Sequence, residues 1–155
     1  MPVRHMLVPA LLFPLSATLS GCATTSTASI EESEAAKSFE APADRGTVFL
    51  YRTGRAVGAA SAIEVQVNGQ AAGGTGPGTF FRWDLKPGTH SFYSRSGESS
   101  ATIALTVEAG SIYYIQQDAR LGLDQGRVTM KEVDAATGMN AIMSMKMLVS
   151  AYVPE

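Results

Sequence analysis

The chain of 155 residues has a single cysteine, Cys22, so no disulfide can form within it and its fold must hold by burial alone. It has two histidines, His5 and His90, too few for a zinc site built from imidazoles. Neither sign of charge dominates, with 12 Lys and Arg against 14 Asp and Glu. That near-balance gives no reason to expect nucleic acid, which normally demands a concentrated basic face. The uncharged run Leu7–Leu19 is thirteen residues long, short of the about 20 that cross a hydrocarbon core. Pro9 and Pro14 would also break a membrane helix there. The glycine-rich stretch GGTGPGT (73–79) lacks the Lys-Ser/Thr pair of a phosphate cradle. Pro77 removes one of its amides, and an aromatic strand follows where a helix is needed, so it reads as a loop.

What the N-terminus does have is Arg4, the short apolar run, and small residues at its end. That is the anatomy of a secretory signal peptide over residues 1–21. Leu19-Ser20-Gly21-Cys22 resembles the lipobox of bacterial lipoproteins. The resemblance implies cleavage between Gly21 and Cys22 and a diacylglycerol on the Cys22 thiol, which would make the membrane a partner. Anchoring becomes durable with two or more chains, each buried methylene contributing about 0.8 kcal/mol. An ordinary signal peptide with a coincidental cysteine is the other reading of the same residues. Ala23 stands where the inner-membrane retention signal would place Asp. By the same resemblance, that favours the outer membrane and its periplasmic face over the inner membrane.

Residues 22–44 read as an acidic flexible tether, rich in Ser, Thr, Ala and Glu. Glu31, Glu32, Glu34, Glu40 and Asp44 face one base, Lys37. A flexible chain of this length spans roughly 25 Å on average. Ala, Glu and Lys would allow a short helix near Ile30–Phe39.

From Gly46 the hydrophobic period is two. TVFLYR (47–52) is a compact apolar strand, and AIEVQVNGQ (62–70) alternates Ile63, Val65 and Val67 with polar residues before an Asn68-Gly69 turn. TFFRWDL (79–85) and THSFYSR (89–95) flank Lys86-Pro87-Gly88, which reads as a second hairpin. ATIALTVEAG (101–110), SIYYIQQDA (111–119) and RVTMKEV (127–133) complete the set. Asp134 is a candidate N-cap for a short helix carrying Met139, Ile142, Met143 and Met147. The expectation is a mainly β domain over 45–155, an antiparallel β-sandwich of about seven strands or a small barrel, with one short C-terminal helix.

The order of a VYR-like strand (48–52), VNG (67–69), an aromatic strand, PGTH (87–90) and AGSIYYI (109–115) resembles a family of small bacterial lipoproteins. That family is known only as domain of unknown function 2846. The resemblance covers roughly residues 45–148 and implies a prealbumin-like sandwich. It brings no activity and no catalytic residues.

Chemistry is sparse. His90 would need a Ser or Thr nucleophile and a carboxylate such as Asp84 within reach to act as a base, yet it follows a Pro-Gly turn where a polar strand residue is ordinary. Asp118 and Asp124 flank a loop where solvated acids are expected. Met139, Met143, Met145 and Met147 present soft sulfurs suited to Cu(I), against the plainer role of filling an irregular core. The adjacent pairs Phe80-Phe81 and Tyr113-Tyr114 each send one ring to either face of a strand, leaving outward rings to account for. Either the C-terminal helix or the tether covers them, or they form an exposed patch. Phe80, Arg82, Tyr93 and Tyr113 are the candidate binding surface, with an envelope protein or a glycan as partner. The expected role is a non-enzymatic binding module with no cofactor and no metal. A structural accessory of an envelope complex is the alternative, and a hydrolase on envelope material comes third.

Overall fold

The computed structural model describes residues 25–54, 62–123 and 126–155. The expected signal peptide, its cleavage site, Cys22, Asp124 and most of the Gly54–Ala62 segment lie outside these. Among the described residues are nine strands and two short helices: α1 (Ile30–Ala36), β1 (Gly46–Arg52), β2 (Ile63–Val67), β3 (Gln70–Thr75), β4 (Thr79–Leu85), β5 (Gly88–Arg95), β6 (Ser100–Val107), β7 (Ile112–Arg120), β8 (Arg127–Val133), α2 (Ala135–Ile142) and β9 (Lys146–Met147). They form a sandwich of a five-stranded sheet, β8-β7-β1-β4-β9, and a four-stranded sheet, β3-β2-β5-β6. The mainly β sandwich read from the sequence is present. Pairing is antiparallel except for two parallel pairs, β1 with β7 and β4 with β9.

Every residue of β1 is buried, as befits a central strand covered on both faces. Its Val48 and Leu50 point between the sheets, where they meet Val65, Val67, Phe81, Trp83, Phe92 and Ile115. Phe49 and Tyr51 point the other way, into a second core with Phe80, Tyr114, Ala36, Ile142 and Met145. Phe49 stacks on Tyr114 with ring centroids 5.4 Å apart. This second core lies on the outer face of the five-stranded sheet, and α1 and α2 roof it. The outward rings are therefore covered by both the C-terminal helix and the N-terminal segment.

Residues 25–44 are accordingly not the solvated tether their composition suggests. Ser29 caps α1 and forms a capping box with Glu32, whose carboxylate accepts from the Ser29 N–H at 2.9 Å. Those bonds hold the Glu32 carboxyl below its ordinary pKa. The small residues Ser33 and Ala36 face the sheet, and the Met147 N–H donates to Ser33 Oγ at 3.2 Å. Phe39 adopts φ 53°, a left-handed backbone rare for a bulky residue, and its ring lies 5.5 Å from that of Phe49. Five acids repel one another only weakly in water; burial of Ala36 and Phe39 against two aromatic rings outweighs that.

The Asn68-Gly69 turn is a hairpin as expected, with both residues at positive φ, and it leads into β3. β3 includes the first three residues of the glycine-rich stretch read as a loop. Lys86-Pro87-Gly88 is not a hairpin: β4 pairs with β1 and β5 with β2, so this turn carries the chain from one sheet to the other.

α2 has its expected N-cap, with the Thr137 N–H donating to Asp134 Oδ1 at 2.9 Å. It ends at Ile142, so the helical spacing assumed for the methionines stops there. Gly138 sits where α2 crosses Tyr114, and a Cβ at this position would overlap the ring. Alanine favours a helix over glycine by up to about 1 kcal/mol. Overpacking costs typically about 1–3 kcal/mol. Gly138→Ala is therefore expected to lower stability in urea unfolding despite its better propensity, because the clash falls on the Cβ and Cγ of Tyr114, next to the backbone, where the ring cannot swing away.

Candidate functional site

The four side chains expected to share one surface do not come together. Phe80 points outward from β4 but is fully buried in the second core. Tyr113 lies level with Val48 across the parallel β1–β7 pair and so faces the inter-sheet core, where it is partly buried. Tyr114 is the outward ring of that pair. Tyr93 is half-buried and lies opposite Gln66 and Thr102, on the outer face of the other sheet. Of the four, Arg82 borders an open concavity.

That concavity is a cleft of about 620 Å³ on the outer side of β4. Its floor holds Arg82 and Asp84; its walls are α1 through Glu32, the following segment through Pro42 and Arg45, and the C-terminal strap through Val149 and Val153. β4 alternates, sending Phe81, Trp83 and Leu85 into the inter-sheet core, which leaves Arg82 and Asp84 on the outside. The Arg82 guanidinium donates through Nη2 to Asp84 Oδ1 at 3.2 Å and to the Glu40 carbonyl at 3.1 Å. Its Cζ lies 5.9 Å from the Phe49 ring centre. Its Nε is buried with no hydrogen-bond partner among the described residues. Asp84 also accepts from the Thr47 hydroxyl at 2.6 Å. Arg45 Nη1 donates to the Glu155 carbonyl oxygen at 2.8 Å, tying the last residue to the cleft wall. Two cations thus stand in one cleft with Glu32, Asp44 and Asp84, a mixed-charge lining flanked by apolar side chains.

Arg45 and the strap were missed as site residues. Nothing in the sequence signals that Val149–Pro154 returns to lie beside β4, because that segment has neither period nor motif.

The other candidates resolve separately. His90 has both ring nitrogens engaged, Nδ1 with Asn68 Nδ2 at 2.9 Å and Nε2 with the Lys86 carbonyl at 2.8 Å. That pattern fits the neutral Nε2–H tautomer and includes neither a carboxylate nor a hydroxyl. Asp84 is committed to Arg82 and Thr47. Of the methionines, Met145 is buried and Met147 packs on the second core, while Met139 and Met143 are exposed, so the four sulfurs do not share one environment. Among the described residues no group of three or more His, Cys, Asp or Glu is placed to hold a metal ion. No helix among them is long and apolar enough to cross a membrane.

A polar network occupies one end of the interior instead. Arg52 Nη1 donates to the Thr75 carbonyl at 2.8 Å, the Thr75 hydroxyl donates to Gln117 Oε1, and Gln117 Nε2 donates to Ser94 Oγ at 2.7 Å. Burial lowers the Arg52 pKa. On the outer side of the same strands, Tyr51 donates to Gln116 Oε1 at 3.1 Å, and Thr53 to Asp118 Oδ1 at 2.6 Å.

Desolvation, joined by the charges of Asp118 and Asp134, raises the Tyr51 pKa above its ordinary 10.0; desolvation alone raises that of Tyr114. A folded-state pKa above the unfolded value means that the native protein holds these protons longer. Stability is then intact below pH 10 and declines as pH rises from there through the folded pKa values. Urea midpoints measured from pH 8 to 11 should fall above pH 10, and Tyr51→Phe with Tyr114→Phe should flatten the decline.

A two-sheet sandwich with a roofed outer face and a mixed-charge cleft defines a small β domain with no recognisable catalytic constellation among its described residues. Residues 42–130 match the family described as protein of unknown function (DUF2846), and the chain belongs to that family. It is also similar to an uncharacterized protein of Haemophilus influenzae, 29% identical over 150 residues, spanning 96% of this chain and 88% of that protein.

Proposed function

We propose that this is an envelope lipoprotein, anchored through acyl chains on Cys22 in the outer membrane and facing the periplasm, whose domain is a non-enzymatic binding module. The cleft over β4 is its binding site. The observation that carries this reading is Arg82, a guanidinium on the cleft floor whose Nε is buried without a hydrogen-bond partner among the described residues. A buried donor left unmade costs about 1–3 kcal/mol. A ligand acceptor in the cleft would recover much of that once the Arg82 side chain turned its Nε toward it. The mixed-charge lining suits a peptide segment of an envelope protein or a glycan better than a simple anion. A purely structural accessory docking through edge strands would have to use β3, β6 or β8, because β9 is already paired on its outer side: the Ala28 N–H donates to the Met147 carbonyl and the Val149 N–H to that of Ser26. The engaged ring of His90 argues against hydrolysis.

Two measurements test the reading. Cys22→Ser is expected to accumulate as an unprocessed precursor without acyl label; normal acylation of that variant would overturn the anchor. Cell-wall fragments or envelope peptides that bind should raise the melting temperature, since binding only the native state stabilises it. Arg82→Ala should abolish the shift. A shift that Arg82→Ala leaves unchanged places the site elsewhere.

A further inference from the structure

The N-terminal segment changes how close the domain sits to its anchor. Thr25 is already docked: its Oγ1 accepts from the Gly74 N–H at 2.6 Å, and the Ser26 carbonyl accepts from Val149 at 2.8 Å. Thr27 then bridges to Leu148, and the Ala28 N–H reaches the Met147 carbonyl. The folded body therefore begins no later than residue 25, three residues after Cys22. Three residues of fully extended chain reach at most about 11 Å. The spacer of roughly 25 Å expected for a free tether is not available.

The flank where the chain joins the fold carries three of the seven exposed large hydrophobic side chains among the described residues. Ile30 (84% exposed), Val149 (53%) and Val153 (76%) all belong to the two segments that meet there, 25–30 and 148–154. Ala28, Val149 and Val153 border the same cleft, and Ile30 opens the helix that forms one of its walls. Exposed aliphatic side chains scattered singly are ordinary on a protein surface. Three of them here lie on segments adjoining the point where the chain leaves the fold, from which residue 22 is at most about 11 Å away.

We infer that this flank, presenting Ile30, Val149 and Val153, lies directly against the lipid surface, so that the domain is held on the membrane in one orientation instead of hanging below it. The inference rests on the lipid-anchor reading above. The acids Glu31 and Glu32 next to Ile30 specify the surface further. They would be repelled by a strongly anionic leaflet, so the contact is with zwitterionic lipid. The cleft, which shares Val149 and Val153 with this flank, then opens beside the headgroups and samples partners within the first layer above the membrane.

The test uses the full-length acylated protein in phosphatidylcholine–phosphatidylethanolamine vesicles. With Cys22 blocked by lipid, single nitroxides can be placed at Ile30→Cys, Val149→Cys, Val153→Cys and, on the far edge strand β6, Thr102→Cys. The first three are expected to be shielded from a water-soluble relaxation agent and open to oxygen dissolved in lipid, with Thr102 showing the reverse. Inserting about twelve Gly and Ser residues after Ala23 restores a long spacer. It should abolish the contrast while Cys22 stays acylated. Equal water exposure at all four positions with Cys22 acylated overturns the apposition and leaves the anchor standing. Absence of acyl chains on Cys22 overturns the anchor, and the apposition with it.

Discussion

Deleting residues 25–40 is expected to destabilise the domain by about 3–5 kcal/mol, the scale of removing a buried aromatic side chain. A solvated tether could be cut away at no cost. Here the cut removes Phe39 from the rings of Phe49 and Tyr114 and Ala36 from the second core. It also removes the Ser33 hydroxyl that accepts from Met147, the Glu40 carbonyl that accepts from Arg82, and the segment paired along β9. Phe49, now fully buried, would meet water across one face. Domains of this size are stable by only about 5–15 kcal/mol, so the loss is a large fraction of the whole. Urea unfolding of the soluble domain, beginning at Thr25 or at Ala41, checks it. Equal midpoints would return the segment to the status of a linker. Phe39→Ala should reproduce part of the loss in the intact domain, which separates the packing of one ring from the removal of a segment.

Most strands were legible because a half-buried strand writes its burial into a period of two. Ile63, Val65 and Val67 are all buried as their alternation indicates, and β4 and β8 begin and end where their composition changes. β3 was not legible, since Gln70–Thr75 is mostly Ala and Gly, chosen for close approach: Gly73 has φ 132° and lies against Thr25 and Phe81. Partnership between strands was also invisible. Lys86-Pro87-Gly88 offers the same local chemistry to a hairpin and to a corner between sheets, and only the pairing of β4 with β1 decides. The facing of Tyr113 and Tyr114 depends in turn on the parallel register of β7 against β1, a contact about 65 residues apart in sequence. The candidate site suffered most. Arg82 was identified because it lies on one of the strands that carry the aromatic pairs, but the walls of its cleft come from two segments without any pattern. The short helix α1 was allowed by composition. Its burial was not, because Ser33 and Ala36 carry too little hydrophobicity to announce a packed face.

The buried network at the end of the interior yields the second large effect, and its two outcomes differ by substitution. Arg52→Ala is expected to cost about 3 kcal/mol or more, whereas Arg52→Met should cost at most about 1.5 kcal/mol. Arg52 is 1% exposed and continues the inward row of Val48 and Leu50, so alanine opens a cavity, while either substitution strips the Thr75 carbonyl of its Nη1 donor. Methionine refills most of that volume with an unbranched chain and removes the desolvation penalty of a buried guanidinium, the same penalty that lowers its pKa. Thr75 keeps its hydroxyl bonds to Gln117 and to the Ile63 carbonyl in either variant, so the rest of the network survives to hold β3 and β7 together. Chemical unfolding of both variants gives the comparison. If methionine proves as damaging as alanine, the charge itself is required, and Arg52 stabilises its end of the sandwich through interactions that packing cannot replace. If methionine is tolerated while alanine is not, shape is what the fold needs at this position, and the retained charge has to be explained by specificity: an arginine there favours the one register of β1, β3 and β7 in which its donors meet acceptors.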